Sequence, residues 1–356
     1  MDLFQQIYGF KKDSLPVRYL GISLVTRKLT EKDCVVFIEK IKQRLHHWYA
    51  INLSYADILE LIRSVIFSVS NYWCRQLILP NSILAKVDQL CSRFFWKGDD
   101  KPAKGARISW DFICFSKAEG GLGLKNTKIW NKACSIDLIR KILAGHGSLW
   151  VAWLKTYVFK DQDFWNFVAG SNVSWSINRL LKLRPTSLSI FSSSSSLRLR
   201  DIWESIRIKR EKVPWHNLIW FPMHIPKFSL ITWMSLLNRL PTRDQLLKMG
   251  ISTEGTCVNC RDDQETRNHI FCQRTLAVRL WSSVLSLNSV KNTSSTWEEM
   301  VNRASSTWKG KSLLITILKI SWTTYIYTLW EERNHRIFQG RQRSTDELFN
   351  VIIEAV

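Results

Sequence analysis

Cysteine and histidine residues in one short segment have the spacing of a metal site. Cys257 and Cys260 stand three positions apart, and His269 and Cys272 follow at the same spacing after eight intervening residues. Zinc takes four sulfur or nitrogen ligands at tetrahedral corners, and a closed Cys₃His set leaves no position for a substrate. The spacing therefore predicts a structural Zn²⁺ site formed by these four residues. The alternative is a turn with two reduced thiols, a packed imidazole and a buried Cys272.

Acidic and glycine-rich segments give no comparable sign of catalysis. The adjacent acids Asp99–Asp100 and Asp262–Asp263 lie in polar turns, whereas two-metal enzymes need carboxylates held on rigid elements. The glycines at 120, 121 and 123 lack the spacing of a phosphate-binding loop and predict a tight turn before a helix. The sequence therefore predicts no catalytic residue.

The charge balance indicates a polyanionic partner. The chain has 356 residues, with 51 Lys and Arg against 30 Asp and Glu, a net charge of +21. Such a surplus favours RNA or DNA bound largely without sequence preference, and the alternative is a solvated basic surface. The candidate phosphate ligands are the basic residues of a serine-rich stretch and of a charged loop: Arg198, Arg200, Arg207, Lys209, Arg210, Lys97, Lys101 and Lys104.

Hydropathy and the N-terminal residues bear on location. The apolar runs are too short for a membrane span, and the first residues lack the pattern of a secretory signal. We therefore expect an intracellular protein, nuclear or cytoplasmic, that has no membrane partner.

Hydrophobic periodicity predicts a mainly α fold. Helices are predicted after Thr30, Ser54 and Pro80 and over residues 127–143, with a short β-prone run at 17–24. Trp150, Trp153 and Trp330 recur at helical spacing and are predicted to pack in the core. We expect one helical domain followed by a small zinc-binding helical domain.

Several long strings resemble one family of proteins. They are LPVRYLGISL, RLHHWYAINLSYADILELIRSVIFSVSNYW, LCSRFFWKG, RISWDFICFSKAEGGLGLKNTKIWNKA and WEERNHRIF. In this order they resemble the C-terminal part of plant LINE-type (non-LTR) retrotransposon reverse transcriptases. The segment IPKFSLITWMSLLNRLPTRDQLLKMGISTEGTCVNCRDDQETRNHIFC is similar to the zinc-binding domain that follows the polymerase in that family.

The resemblance implies a division of the chain and a role for its first strands. It implies the end of the palm at 1–29, a helical thumb and connection at 30–165, the zinc-binding domain at 201–285 and a helical tail at 286–356. The serine run and the bases around it predict a flexible, basic linker at 166–200. A primer-grip-like stretch would comprise Arg18, Tyr19, Leu20 and Gly21.

The resemblance also implies what this chain lacks. The palm carboxylates of an RNA-directed DNA polymerase are absent, so the expected function is nucleic-acid binding without catalysis. The family's last zinc ligand would fall at Arg274, two residues after Cys272. The alternatives are a protein-interaction module, a pseudogene product without a role, or part of an active polymerase whose palm is supplied elsewhere.

Overall fold

The computed structural model describes residues 15, 17–97, 107–145, 148–170, 173–192, 197–258, 260–290 and 295–356. Over these residues the chain is mainly helical, which confirms the predicted fold class. The described part contains a single sheet, the antiparallel pair β1 (Val17–Tyr19) and β2 (Ile22–Leu24). Leu20 and Gly21 join the strands with φ values of 49° and 81°. Positive φ at both positions is what a two-residue type I′ hairpin turn requires, and Gly21 adopts it without steric cost.

The α-helices are numbered in chain order. They are α1 (Val35–Tyr49), α2 (Tyr55–Leu61), α3 (Phe67–Gln76), α4 (Asn81–Lys97), α5 (Trp110–Cys114), α6 (Thr127–Ala144), α7 (Leu149–Trp153), α8 (Trp175–Leu181), α9 (Arg184–Phe191), α10 (Leu199–Ile206), α11 (His216–Ile219), α12 (Pro226–Leu236), α13 (Arg243–Lys248), α14 (Thr275–Leu287), α15 (Trp297–Thr307), α16 (Leu313–Phe338) and α17 (Thr345–Glu354). Short 3₁₀ turns lie at Lys32–Cys34 and Lys117–Glu119, and π-helical turns lie at Ile62–Ile66, Leu154–Phe159 and His269–Gln273.

The chain divides into two compact units. The first comprises residues 1–52, 58–104 and 124–209, and the second comprises 53–57, 105–123 and 210–356. The predicted boundaries at 165 and 200 both fall inside the first unit, and the predicted domain functions stay predictions.

Two apolar clusters form the interior of the first unit. Phe37 of α1 stacks on Trp73 of α3 with ring centroids 4.9 Å apart. A second cluster contains apolar residues of α6, of α8 and of the segment at 154–167 that follows α7. It includes the fully buried Ile139 and Leu154. Because both clusters draw on helices far apart in sequence, their packing defines this unit.

The first helical segment begins at a hydrogen-bonded cap. The backbone N–H and the hydroxyl of Thr30 both donate to Asp33 Oδ2 at 2.7 Å. The guanidinium of Arg27 donates to the same carboxylate, and this bond together with the Thr30 bonds holds the pKa of Asp33 well below its usual range. The first helical turn, Lys32–Cys34, has Glu31 as its N-cap, so the helical segment begins within one residue of the predicted Thr30.

The segment predicted as a linker contains two helices. Ser174 caps α8, its hydroxyl accepting a hydrogen bond from Ile177 N, and α9 begins with Pro185 in its first turn. Ile177 and Ile190 are buried, so both helices have an apolar side packed within the first unit. Residues 193–196 of the serine run lie outside the described residues, and the linker at 166–200 stays a prediction.

In the second unit, aromatic side chains pack along the long helix α16. Trp322 is fully buried, and the ring centroids of Tyr325 and Trp281 lie 4.9 Å apart. The helix α12 packs against α16, and α17 packs against both α14 and α16. These contacts place α14, which follows the cysteine-containing loop, against the core of the unit.

The glycine-rich segment of the second unit is a tight turn. Gly120 has a φ of 90°, and a Cβ on Gly121 would lie 2.1 Å from the carbonyl oxygen of Phe115. The indole N–H of Trp233 donates to the carbonyl oxygen of Gly120 at 2.7 Å. The turn therefore serves close backbone packing, as the sequence predicted.

Two of the three tryptophans predicted to lie in the core are on the surface. Trp330 is buried, but Trp150 is 39% exposed and Trp153 is 52% exposed. Both belong to the short helix α7, which has few neighbours to cover more than one side. In the described residues, no helix combines the length and the apolar character that crossing a membrane requires.

Candidate metal centre and basic surfaces

A closed loop brings the two cysteines of the candidate metal centre together. Thr256 and Gln264 pair as an antiparallel bridge at the base of the loop. Above this bridge the N–H of Cys257 donates to Asp263 O at 2.7 Å, and the N–H of Arg261 donates to Cys257 O at 2.9 Å. The left-handed conformation of Arg261, with φ of 64°, turns the chain back toward the bridge. Cys257 and Cys260 therefore lie on the same tight turn.

A π-helical turn returns His269 to the two thiols. The N–H of His269 donates to the hydroxyl of Thr266 at 3.1 Å, which fixes the start of the turn His269–Gln273. His269 Nε2 lies 3.3 Å from Cys260 Sγ, and the donor atoms of Cys257, Cys260 and His269 all lie within 4.8 Å of one another. π-helical turns of this kind occur frequently at functional sites.

The geometry fits three corners of a zinc site. Zinc–sulfur bonds of about 2.3 Å and zinc–nitrogen bonds of about 2.0–2.1 Å put tetrahedral ligands about 3.5–3.8 Å apart. The distance of 3.3 Å between Cys260 Sγ and His269 Nε2 is close to that separation. Burial, the largest influence, lowers the pKa of His269, so its imidazole is held in the neutral form that binds metals. In the described residues, no other group of three or more such side chains is close enough to hold a metal ion.

An outer carboxylate faces the second nitrogen of the histidine. His269 Nδ1 lies 3.7 Å from Asp263 Oδ2, on the side of the ring opposite the thiols. Metal-bound histidines usually direct their other N–H toward a carboxylate or carbonyl, which fixes the ring. Asp263 was interpreted from the sequence as a solvated turn residue. Its carboxylate is indeed mostly exposed, yet it is placed to orient His269.

Cys272 does not join the other three residues. Burial, the largest influence, raises the pKa of Cys272 to about 12, and its thiol interacts electrostatically with Glu298, Arg267 and Tyr325. Arg274 instead is near enough to Cys257 and Cys260 to interact with both electrostatically. The reason is the π-helical turn, because its closing hydrogen bond runs from Arg274 N to His269 O, five residues back. This bond brings Arg274 back beside His269. Cys272, three residues after His269, is not among the converging donors.

A buried ion pair that the sequence does not predict anchors the loop at 253–274 that carries the candidate metal ligands, the metal loop. Glu265 lies just after the bridge and has a fully buried side chain, and Arg333 Nη2 donates to Glu265 Oε1 at 2.6 Å. The N–H of Arg243 also donates to Glu265 Oε1, at 3.0 Å. The loop is thereby joined to α16 and to the start of α13. The string WEERNHRIF contained a signal for this pair, since it carries charged residues inside a helix that is otherwise apolar.

A second buried carboxylate, Glu332 of this string, binds two arginines. Glu332 Oε1 accepts from Arg336 Nε at 2.6 Å, and Glu332 Oε2 accepts from Arg343 Nε at 2.9 Å. Through these bonds α16 holds the segment that leads to α17. Glu332 and Arg336 are therefore engaged within the fold and do not form an open binding surface.

The basic residues predicted to bind phosphate differ in how free they are. Arg200 and Lys209 are exposed, whereas Arg198 pairs with Asp201 at 3.3 Å on the surface. Arg207 is largely buried, pairs with Glu204 at 2.7 Å and lies over the ring of Trp203. Arg210 is exposed, and its guanidinium lies 5.1 Å from the centre of the Phe112 ring. Of this set, Arg207 is the least available to a phosphate.

The primer-grip-like residues lie on the hairpin, and the three lysines of the charged loop lie wholly or partly outside the described residues. Arg18, Tyr19, Leu20 and Gly21 are all exposed on the β1–β2 hairpin, and the hydroxyl of Tyr72 donates to Leu20 O at 3.0 Å. Lys101 and Lys104 lie outside the described residues, as does the side chain of Lys97.

Comparisons with known proteins agree with the character of the metal loop. Residues 198–281 match a family model described as zinc-binding in reverse transcriptase, and this range contains Cys257, Cys260 and His269. A stretch of 202 residues is 28% identical to a protein of Arabidopsis thaliana named "Putative ribonuclease H protein". That stretch is 56% of this chain and 28% of the relative, so the chain spans less than a third of the relative's length. The two similarities support a retrotransposon-related chain.

Proposed function

We propose that this chain is a non-catalytic part of a plant LINE-type reverse transcriptase that binds RNA or DNA and is stabilised by a structural zinc ion. The observation that carries the proposal is the convergence of Cys257, Cys260 and His269 inside the segment that matches a reverse-transcriptase zinc-binding model. The net charge of +21 supports a polyanionic ligand.

The role proposed for zinc is to hold the loop closed. When bound, the ion would supply a cross-link between the two thiolates and the imidazole, the three donors that converge in this loop. The chain's own residues position these donors. The bridge at Thr256 and Gln264 closes the loop, Asp263 faces the outer nitrogen of His269, and Glu265 ties the loop to Arg333.

Nucleic-acid binding is proposed to be electrostatic. Arg200, Lys209 and Arg210 are exposed near the start of the matched segment, and Arg18 is exposed on the hairpin. Contacts to phosphates release counterions, so binding weakens as salt increases. Because such contacts read no base edges, we expect little sequence preference.

A salt titration tests the binding proposal. Fluorescence anisotropy of a labelled single-stranded RNA, measured with the full chain, is expected to give a log K that falls linearly with log salt. The slope should be about −0.7 for each phosphate neutralised. An affinity that does not change with salt, or no binding at low salt, would contradict the proposal.

An activity assay tests the non-catalytic part of the proposal. With Mg²⁺, a primed RNA template and an RNA–DNA hybrid, we expect neither primer extension nor cleavage above the level of a buffer control. Extension or cleavage that depends on Mg²⁺ would instead show that the chain is an enzyme whose catalytic carboxylates the sequence does not reveal. Retention of a partner protein with no affinity for RNA or DNA would favour an interaction module.

A further inference from the structure

A cleft in the first unit has the composition of a ligand site. It has a volume of about 640 Å³ and is lined by one side of α3, by α6 and by α7. The α3 residues recur at helical spacing on the cleft side, and they include Asn71, Tyr72 and Arg75. Lys141 of α6 and Trp150 of α7 line it from the other helices. The volume lies within the range of about 300–1,000 Å³ that is typical of ligand sites.

The positive charges at the cleft outnumber the negative charges around them. Arg75 is exposed, and in the described part of the chain it forms neither a hydrogen bond nor an ion pair. Lys141 shares the buried Asp137 with Arg140, at 3.2 Å and 2.8 Å. These four side chains carry three positive charges and one negative charge, and no carboxylate lines the cleft. The cleft therefore suits an anion.

Aromatic and amide groups accompany the cations. Tyr72 and Trp150 are each 39% exposed, so both rings are accessible from solvent. Asn71 Oδ1 accepts a hydrogen bond from Trp130 Nε1 at 2.9 Å, which leaves the amide N–H groups of Asn71 as donors. An exposed tryptophan at the mouth of a cationic cleft is costly for solubility, and it is suited to stacking on a planar ring.

We propose that this cleft binds one nucleotide of a single strand, with its phosphate at Arg75 and Lys141 and its base against Trp150. The inference rests on the proposed function and names a site for it. Aromatic side chains beside cationic groups are the combination by which proteins hold unpaired bases. A simple anion would use the cations alone, and an acidic peptide would have no use for the exposed indole.

The hairpin beside the cleft favours a single strand over an isolated nucleotide as the ligand. Tyr72 lines the cleft, and its hydroxyl donates to Leu20 O in the turn of the hairpin. The hairpin presents the exposed Arg18 and Tyr19. A strand whose base occupies the cleft therefore has a second cationic and aromatic surface within reach.

The first test compares two exposed tryptophans of the same helix. Trp150→Ala in the full chain is expected to weaken binding of a labelled twelve-nucleotide oligo(dT) by about fivefold or more, since a stacked base contributes about 1–3 kcal/mol. Trp153→Ala is the matched control, because Trp153 belongs to α7 and is more exposed but does not line the cleft. Photo-crosslinking of the same oligonucleotide carrying one 5-iododeoxyuridine should modify the peptide that contains Trp150 or Tyr72.

The second test compares two exposed arginines and does not depend on the stability of α7. Arg75→Gln is expected to reduce the magnitude of the slope of log K against log salt by about 0.7. Arg44→Gln removes the same charge from an exposed position of α1 outside the cleft, and its slope should equal that of the wild type.

The outcomes separate this inference from the proposed function. If the wild-type chain binds oligo(dT) and both cleft variants behave like their controls, the cleft is not the site and the proposed function stands. Crosslinks confined to peptides outside α3, α6 and α7 would lead to the same conclusion. If the wild-type chain binds no nucleic acid at low salt, both the inference and the proposed function are wrong.

Discussion

At the scale of single residues, the cysteine expected to bind zinc is not near the other ligands, whereas an arginine two positions later is. The fourth zinc ligand expected from the spacing is Cys272, but Cys272 is not among the donors that converge. The residue near Cys257 and Cys260 is Arg274, and its Nη1 atom is buried without a hydrogen-bond partner in the described residues. A cation at this point opposes a metal ion, so the three donors must hold zinc without help from the fourth position.

The two cysteines should therefore differ in their effect on metal content. We expect Cys257→Ser to lose zinc, because it removes one of three converging donors. Cys272→Ser should retain zinc at the wild-type ratio, because its thiol faces the interior of the unit. Inductively coupled plasma mass spectrometry of the purified full-length variants measures both. Loss of zinc from Cys272→Ser alone would show that the loop rearranges to use this thiol.

Replacing the arginine should improve the site. Arg274→Cys places a thiol where the resemblance to the reverse-transcriptase family expects the last ligand, and it removes the opposing charge. We expect a zinc affinity at least tenfold higher than that of the wild type, measured by competition with a chromophoric chelator, because thiolates are strong zinc ligands. Arg274→Ser, which removes the charge without adding a ligand, is the control. An equal gain in both variants would assign the effect to charge alone.

At the scale of elements, the metal loop depends on a helix that begins far away in sequence. The loop residue Glu265 and the α16 residue Arg333 form an ion pair in which both side chains are almost fully buried. Glu265 Oε2 has no hydrogen-bond partner in the described part of the chain, so the pair is only partly satisfied. A buried pair of this kind fixes which elements meet and adds little net stability.

Removing one partner of this ion pair should lower the free energy of unfolding more than removing both charges. Arg333→Met leaves the carboxylate of Glu265 buried and unpaired, and we expect it to lower the free energy of unfolding by about 3–5 kcal/mol. Adding Glu265→Gln should recover a large part of that loss. Urea denaturation followed by circular dichroism measures the wild type and the two variants. If the double variant is less stable than Arg333→Met, the pair is not the source of the effect.

At the scale of the whole molecule, the candidate metal centre belongs to one of two units. Cys257, Cys260 and His269 all lie in the second unit, whereas the clusters around Phe37 and Ile139 lie in the first. Stability is distributed unevenly among the cooperative parts of a protein, and a bound metal stabilises the part that holds it.

Metal removal should therefore be visible locally. On adding a strong chelator, we expect faster amide hydrogen exchange in peptides from the loop at 253–274 and from α14. Peptides from α4 and α6, which are in the first unit, should keep their exchange rates. Hydrogen exchange with mass spectrometry reads both regions in one experiment, and Cys257→Ser without chelator should give the same pattern. Uniform acceleration over the chain would mean that the metal is not confined to this loop.

The sequence by itself determined the features that depend on nearby residues. The mainly α fold follows from apolar residues at helical spacing, and the start of the first helical segment follows from the hydrogen bonds of Thr30 to Asp33. The turn at Gly120 and Gly121 follows from backbone space that only glycine leaves. The convergence of Cys257, Cys260 and His269 was also predictable, because the loop that joins them is short.

The tertiary structure alone decided the features that depend on distant residues. Helical spacing could not tell that Trp150 is exposed and Trp330 buried, since exposure depends on which helices cover them. Arg274, and not Cys272, lies near Cys257 and Cys260 because the turn at His269–Gln273 is π-helical. Such a turn closes its hydrogen bond over five residues instead of four, and composition does not reveal it. The pairing of Glu265 with Arg333 joins positions 68 residues apart. Such pairings are selected by the packing of the whole unit, because burying a charge is tolerable only where its partner is already held in place.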